Sequence, residues 1–263
     1  METLLLQRIG PVLSVTLNRP EVKNAMSGAM VQELVAAFTQ ARDDAAIRAV
    51  LLRGAGGAFC AGGDIKDMAS SREPEAMRTK NRSFGAMLEL ADTLPKPVVA
   101  LVEGPAMGGG FGLACIADCT IAEAKASFAM PEVSLGILPA QIAPFVVARI
   151  GFTQARRLGV SSGRIDGREA LRIGLAHEVA EGVADLEAKG VAALNAILRC
   201  APDAVATTKA LMRASQGGEL GATLDRAATA FVAAVSGPEG REGTKAFVDK
   251  RKPSWAASVE SLS

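Results

Sequence analysis

Three consecutive glycines, Gly108, Gly109 and Gly110, follow an apolar run from Val98 and a Gly104-Pro105 turn, and a carboxylate, Glu132, stands after Pro131 further along. Glycines at a helix start let another group come close to backbone amides that have no partner inside the helix, and the helix dipole adds positive charge there. Such a turn suits developing negative charge. Tight packing of the helix on a neighbouring strand is the structural alternative, and a glycine-rich turn is a weak motif by itself. A second turn of the same kind, Phe59-Cys60-Ala61-Gly62-Gly63-Asp64, follows another apolar strand.

Other chemistries have less material. His177 is the only histidine, so a Ser-His-Asp triad would have to use it. It lies in a short strand-like run after a helix, where an ordinary packed or surface histidine is expected. Cys60, Cys115, Cys119 and Cys200 show no CxxC spacing and no histidine partners, so neither a zinc site nor a disulfide framework is expected and free thiols are.

The 263 residues suffice for one large domain or two modest ones. Hydrophobic residues make up 49% and charged residues 22%, a globular balance. With 29 basic and 28 acidic residues no global field attracts nucleic acid or a membrane surface. The start, Met1 to Arg8, carries an acidic residue and too short an apolar run for a signal peptide, and no segment reaches the ~18 apolar residues of a membrane span. A cytoplasmic location is expected.

The elements that must hold the two turns alternate. Val12 to Leu17 reads as a strand ended by Asn18-Arg19-Pro20. Ser27 is a plausible N-cap for a helix with Met30, Leu34, Ala37, Phe38 and Ala41 on one face. Ile47 to Leu52 is a buried strand before the second glycine turn. Arg72-Glu73-Pro74-Glu75 is a polar interruption, expected as a mobile loop before a helix from about Glu75 to Thr93, and Val98 opens the next strand. From Gln141 onward the pattern is helical. Alternation of this kind implies parallel strands with right-handed crossovers, and pattern alone suggests a doubly wound sheet.

Taken together, Asn18-Arg19-Pro20 with Asn24-Ala25, Ala58 to Ile65, Gly104 to Gly110, Pro131-Glu132, Gly136 to Pro139 and Phe247 to Pro253 resemble the crotonase, or enoyl-CoA hydratase/isomerase, family over essentially the whole chain. The resemblance implies an α/β fold, a spiral of repeated strand-strand-helix turns over residues 1–200, with a helical C-terminal trimerisation region over 201–263. It corrects the doubly wound expectation. By position, the amides of Gly63 and Gly109 match the pair that binds a thioester carbonyl, where two preset donors would stabilise an enolate oxygen more than the ground state. Lys23 and Ala25 match the loop that touches the phosphates and pantetheine of CoA, and Ala61, Asp64 and Ile65 match the turn that holds adenine. Phe247 and Lys250 match positions that reach a neighbouring subunit's nucleotide. The implied partners are an acyl-CoA substrate and copies of the chain, as a homotrimer or dimer of trimers, with no cofactor beyond the substrate's CoA and no metal.

Family hydratases use two glutamates that flank the double bond. Glu132 matches the second, and the first should stand where this chain has Gly112. A lone glutamate in an apolar pocket can serve as base and then acid. Gly110 to Leu113 and Pro139 to Val147 resemble bacterial hydratases of branched glutaconyl-CoA thioesters, such as isohexenylglutaconyl-CoA hydratases of acyclic terpene degradation. Loss of the first glutamate is expected to leave room near the β-carbon and to avoid repulsion with an acyl carboxylate. Gln141 is the nearest polar candidate to meet such a carboxylate, and Arg149 is assigned to a helix surface. The expected activity is hydration of such a 2-enoyl-CoA. The alternatives are a Δ3,Δ2-enoyl-CoA isomerase and a catalytically weak acyl-CoA-binding or RNA-binding relative.

Overall fold

The computed structural model describes residues 1–69 and 73–262. Its strands are β1 (Leu4–Ile9), β2 (Val12–Leu17), β3 (Ala49–Gly54), β4 (Val98–Val102), β5 (Pro105–Met107), β6 (Cys119–Glu123), β7 (Ser127–Ala129), β8 (Ile165–Asp166) and β9 (Glu178–Ala180). Its helices are α1 (Gly28–Asp43), α2 (Ile65–Ala69), α3 (Pro74–Asp92), α4 (Gly109–Ile116), α5 (Ala143–Ser161), α6 (Gly167–Arg172), α7 (Val183–Leu198), α8 (Pro202–Ala214), α9 (Leu220–Ser236) and α10 (Pro238–Val248).

The main sheet has the order β1-β2-β3-β4-β6-β9, antiparallel between β1 and β2 and parallel thereafter. Each parallel strand is added on the same side as the last, so the order never reverses and the sheet is not doubly wound. After β4 and β6 the chain makes a short second strand, and β5, β7 and β8 form their own sheet. Isolated bridges carry that layer back along the chain, Cys60 to Ala106 and Met26 to Gly63. One turn of the spiral is therefore a main-sheet strand, a second-layer strand or bridge, and a helix that returns. This is the crotonase arrangement.

Strands β2, β3 and β4 are largely buried on both faces, as parallel strands are, and β4 is apolar throughout. Val98, Ala100 and Val102 face one core with Phe38, Phe59, Phe111 and Phe128, where the Phe111 and Phe128 rings meet edge to face at 6.1 Å. Val99 and Leu101 face the other, covered by Leu186, Leu194 and Leu198 of α7 and by Val259 and Leu262 of the returning C-terminal tail. The period of two divides one run of five apolar residues between two cores.

Ser27 caps α1 as expected, accepting from the Met30 amide, and the expected face of that helix is buried. The polar interruption is different: Arg72 lies outside the described residues, while Glu73 accepts from the Ala76 amide and Pro74 begins α3, so these residues start a helix. Among the described residues no helix is long and apolar enough to cross a membrane.

The loop after β2 is fixed by Asn24, fully buried with φ 57°. Its Oδ1 accepts from the Arg19 amide at 2.8 Å, and its Nδ2 donates to Ala55 O at 2.9 Å and Ala58 O at 2.7 Å. One side chain thus joins the Arg19–Asn24 loop to the start of the glycine turn after β3. Asn24→Ala would leave these groups unpaired at roughly 1–3 kcal/mol for each one truly buried. Urea unfolding should show a loss of at least ~2 kcal/mol.

Candidate active site

The two glycine turns are held together by main chain. Cys60 N donates to Pro105 O and Met107 N to Cys60 O, while Met26 N donates to Gly62 O and Asp64 N to Met26 O. Gly62 has φ +96°, and a Cβ there would lie 2.9 Å from Met107 O and 3.7 Å from Gly109 N. The turns therefore touch at the residues beside Gly63 and Gly109. Neither the Gly63 nor the Gly109 amide donates to an acceptor among the described residues. These are the two donors expected for the thioester oxygen, and the bridges bring them to one place.

Glu132 opens a 3-10 turn, Pro131–Leu135, and lies over the glycines. A Cβ on Gly108 would sit 2.6 Å from Glu132 Oε1, and Gly108 has φ +48°, so only glycine suits this position. Gly108 N donates to Ala129 O at 2.9 Å, which fixes the turn to the strand that leads into Glu132. Oε2 of Glu132 is buried with no partner among the described residues. Burial pushes its pKa above the ordinary glutamate value, against the opposing pull of its own amide. A desolvated carboxylate with one oxygen unpaired can take a proton, hold it and give it back. Val133, Leu135, Ile137 and Leu138 after it are exposed.

The loops expected to meet CoA are also assembled. Ala61 N donates to Lys23 O at 2.9 Å, and Arg19 Nη1 donates both to Ala25 O at 2.6 Å and to Asp64 Oδ2 at 2.9 Å. Oδ1 of Asp64 accepts from the amides of Lys66 and Asp67 at the start of α2. Burial opposes its ionisation, but Arg19 and those amides win and hold its pKa below the ordinary value. Lys23 and Ile65 are exposed beside this cluster. Phe247 and Lys250 lie at the end of α10, Phe247 86% exposed, and among the described residues no hydrogen bond joins them to these loops.

Two expectations need correction, and Gln141 also has a structural partner. Gln141 is a strut: its Nε2 donates to Asn81 Oδ1 at 2.8 Å and its Oε1 packs where Gly85 of α3 lacks a side chain. Gly112 leaves no room, because a Cβ there would lie 2.4 Å from Ile142 Cγ2 and 3.6 Å from Leu88 Cδ1. The vacated space is filled. Arg149 does not belong to the helix surface either, since its guanidinium donates to Cys115 O and Ala117 O at the end of α4.

His177 also stands at that end, its Nδ1 accepting from the Thr120 amide at 2.9 Å and its Nε2 3.0 Å from Arg149. Burial, then Arg149, lowers its pKa, so the ring is neutral near pH 7. A cavity of about 580 Å³ opens here, lined by Arg149, His177, Asp118 and Arg213, at the opposite end of α4 from the glycine turns. Cys60 and Cys115 are buried and their thiols are pushed up to about 12, which removes them as nucleophiles.

A spiral α/β fold with two free turn amides near a buried carboxylate is an arrangement able to bind developing oxygen charge and to move a proton. A family model described as Enoyl-CoA hydratase/isomerase matches residues 8–258, and the chain belongs to that family. The chain is 34% identical over 268 residues to a carnitinyl-CoA dehydratase of Proteus mirabilis, covering 97% of this chain and 98% of the relative. It is 32% identical to a short-chain-enoyl-CoA hydratase of Clostridium acetobutylicum, with 96% and 97% covered. The solved structure of Pseudomonas aeruginosa AtuE superposes with a TM-score of 0.95 at 60% identity, covering 97% of this chain and all of that one.

Gly108→Ala tests the contact between turn and carboxylate. It should cost roughly 1–3 kcal/mol for a backbone conformation that side chains rarely adopt and should lower kcat by displacing Glu132, with trimmed activity in a protein that still melts cooperatively. Unchanged kcat would mean that Glu132 does not work from this position.

Proposed function

We propose that the protein hydrates a 2-enoyl-CoA thioester, with Glu132 as the only acid/base and the Gly63 and Gly109 amides as the oxyanion donors. The observation that carries this reading is the buried, unpartnered Oε2 of Glu132 set against the turn that frees the Gly109 amide. Glu132 takes a proton from water as the water oxygen bonds to the β-carbon. The electrons of the double bond move onto the thioester oxygen, where the two amides hold the enolate. The enolate then collapses and Glu132 returns its proton to the α-carbon. A single lost oxyanion donor in such a site typically costs about 2.7–4 kcal/mol of barrier.

The acyl group we favour is a branched glutaconyl chain, as in isohexenylglutaconyl-CoA. Its support is the sequence resemblance around Gly112 and over Pro139 to Val147, together with the exposed apolar residues between Val133 and Leu138 that follow Glu132. The absence of spare volume at Gly112 removes the steric argument for it. A trimer is the assembly we favour, supported by the exposed Met212, Phe231, Val232 and Phe247 on α8, α9 and α10. In it, Phe247 and Lys250 would reach a neighbour's nucleotide.

One observation favours a second reading. With Ile142 filling the side of α4 where a second carboxylate would stand, one glutamate and two amides remain, which is enough for a Δ3,Δ2-isomerase. Incubating straight, branched and carboxylated 2- and 3-enoyl-CoA thioesters separates the two by mass. A gain of one water is expected, and conversion without mass gain would favour isomerisation. Glu132→Gln should lower turnover at least ~100-fold; near-normal turnover removes the mechanism.

The raised pKa of Glu132 has two further outcomes. The base form is lost as pH falls through that raised value, so the acid limb of kcat/KM should lie above the pH of an ordinary glutamate. The same shift means that the folded state holds this proton more tightly than the unfolded chain, so its stabilising contribution is present at low pH and is lost as pH rises through the folded value. At neutral pH Glu132→Gln should therefore keep or raise Tm while activity falls.

A further inference from the structure

Ile142 occupies an unusual place. It is 2% exposed, comes from the segment just before α5, and puts its Cγ2 where a side chain on residue 112 would begin. Gly108 stands just before α4, positions 109 and 112 lie three apart on one face of it, and side chains on a helix point back toward its N-terminus. Ahead of the helix Gly108 meets Glu132, and on that face Gly109 meets Met26 and Phe84 and Gly112 meets Ile142 and Leu88. Ile142 is thus the next group along the helix from the carboxylate. Its own backbone is secured at Val146 N, which donates to Ile142 O, and the neighbouring Gln141 is tied to α3 through Asn81.

We propose that Ile142 is a specificity-determining residue: it forms the wall of the acyl pocket on the Gly112 side and limits what the β-carbon can carry there. This rests on the proposed use of Glu132 and the two amides, because they place the β-carbon beside the carboxylate. The wall is an aliphatic side chain delivered by a neighbouring segment instead of a glutamate carried by α4. It therefore discriminates by shape. An extra methyl in an apolar pocket is worth about 10- to 200-fold in discrimination.

The test is binding of saturated thioesters, which cannot be hydrated: butyryl-CoA, and isovaleryl-CoA with its additional methyl on the β-carbon, by titration calorimetry. Ile142→Ala should shift the ratio of their Kd values toward isovaleryl-CoA by about tenfold or more, and Ile142→Val, which keeps most of the packing, by a smaller factor in the same direction. Val146→Ala removes comparable buried volume one helical turn on and should leave the ratio alone. An unchanged ratio in both Ile142 variants overturns the proposal, as does an equal shift in Val146→Ala. If the ratio shifts as expected while the wild type converts no enoyl-CoA, the wall stands and the hydratase reading falls. If neither thioester binds the wild type, both fall.

Discussion

Everything about this site depends on four main-chain hydrogen bonds between loops far apart in sequence. Cys60 exchanges two with the Pro105–Met107 strand, and Met26 exchanges two with the Gly62–Asp64 turn. Backbone groups inside a protein must be paired, so these bridges are as obligatory as any sheet ladder. They fix the peptide unit at Gly63 through Gly62 O and set the turn that carries Gly109 beside it, without spending either amide. A pair of donors built this way needs no side chain and no rearrangement when charge arrives.

The spiral explains why the loops meet. Each turn adds one strand on the same edge of the main sheet and one rung to the second layer, so residues 26, 60, 106 and 128 fall in neighbouring rungs although they are widely spaced in the chain. Asn24 and Arg19 then lock the outer rung, the first through buried carbonyls and the second through Asp64. A residue proposed to touch CoA and a structural residue are here adjacent on one loop. Lys23 is exposed and Asn24 fully buried.

Much of this was legible in the sequence. Apolar runs such as Val98 to Val102 announce strands buried on both faces, and the order of the glycine turns, Pro131 and Glu132 points to the family. The short β5 hides inside what reads as a Gly-Pro turn, because three residues carry no periodicity. The pairing of Arg19 with Asp64 spans 45 residues and leaves no local signal. Arg149 lies between apolar positions and reads as solvent-facing, yet its long side chain reaches the carbonyls of another helix. Least visible was the filling of Gly112 by Ile142. A missing side chain shows in a sequence, but what moves into its place is a property of packing.

The contact of Arg149 with the end of α4 carries one more consequence. All eight residues of this short helix are buried, and its two ends face different surroundings: free amides near Glu132 at one, a guanidinium on Cys115 O and Ala117 O at the other. At about 1.5 Å per residue the ends are roughly 12 Å apart. The cation neutralises the negative pole, so the helix presents its surroundings with one uncompensated pole, at the glycines. Arg149 thus acts on the far pole of the same helix that opens at the glycines.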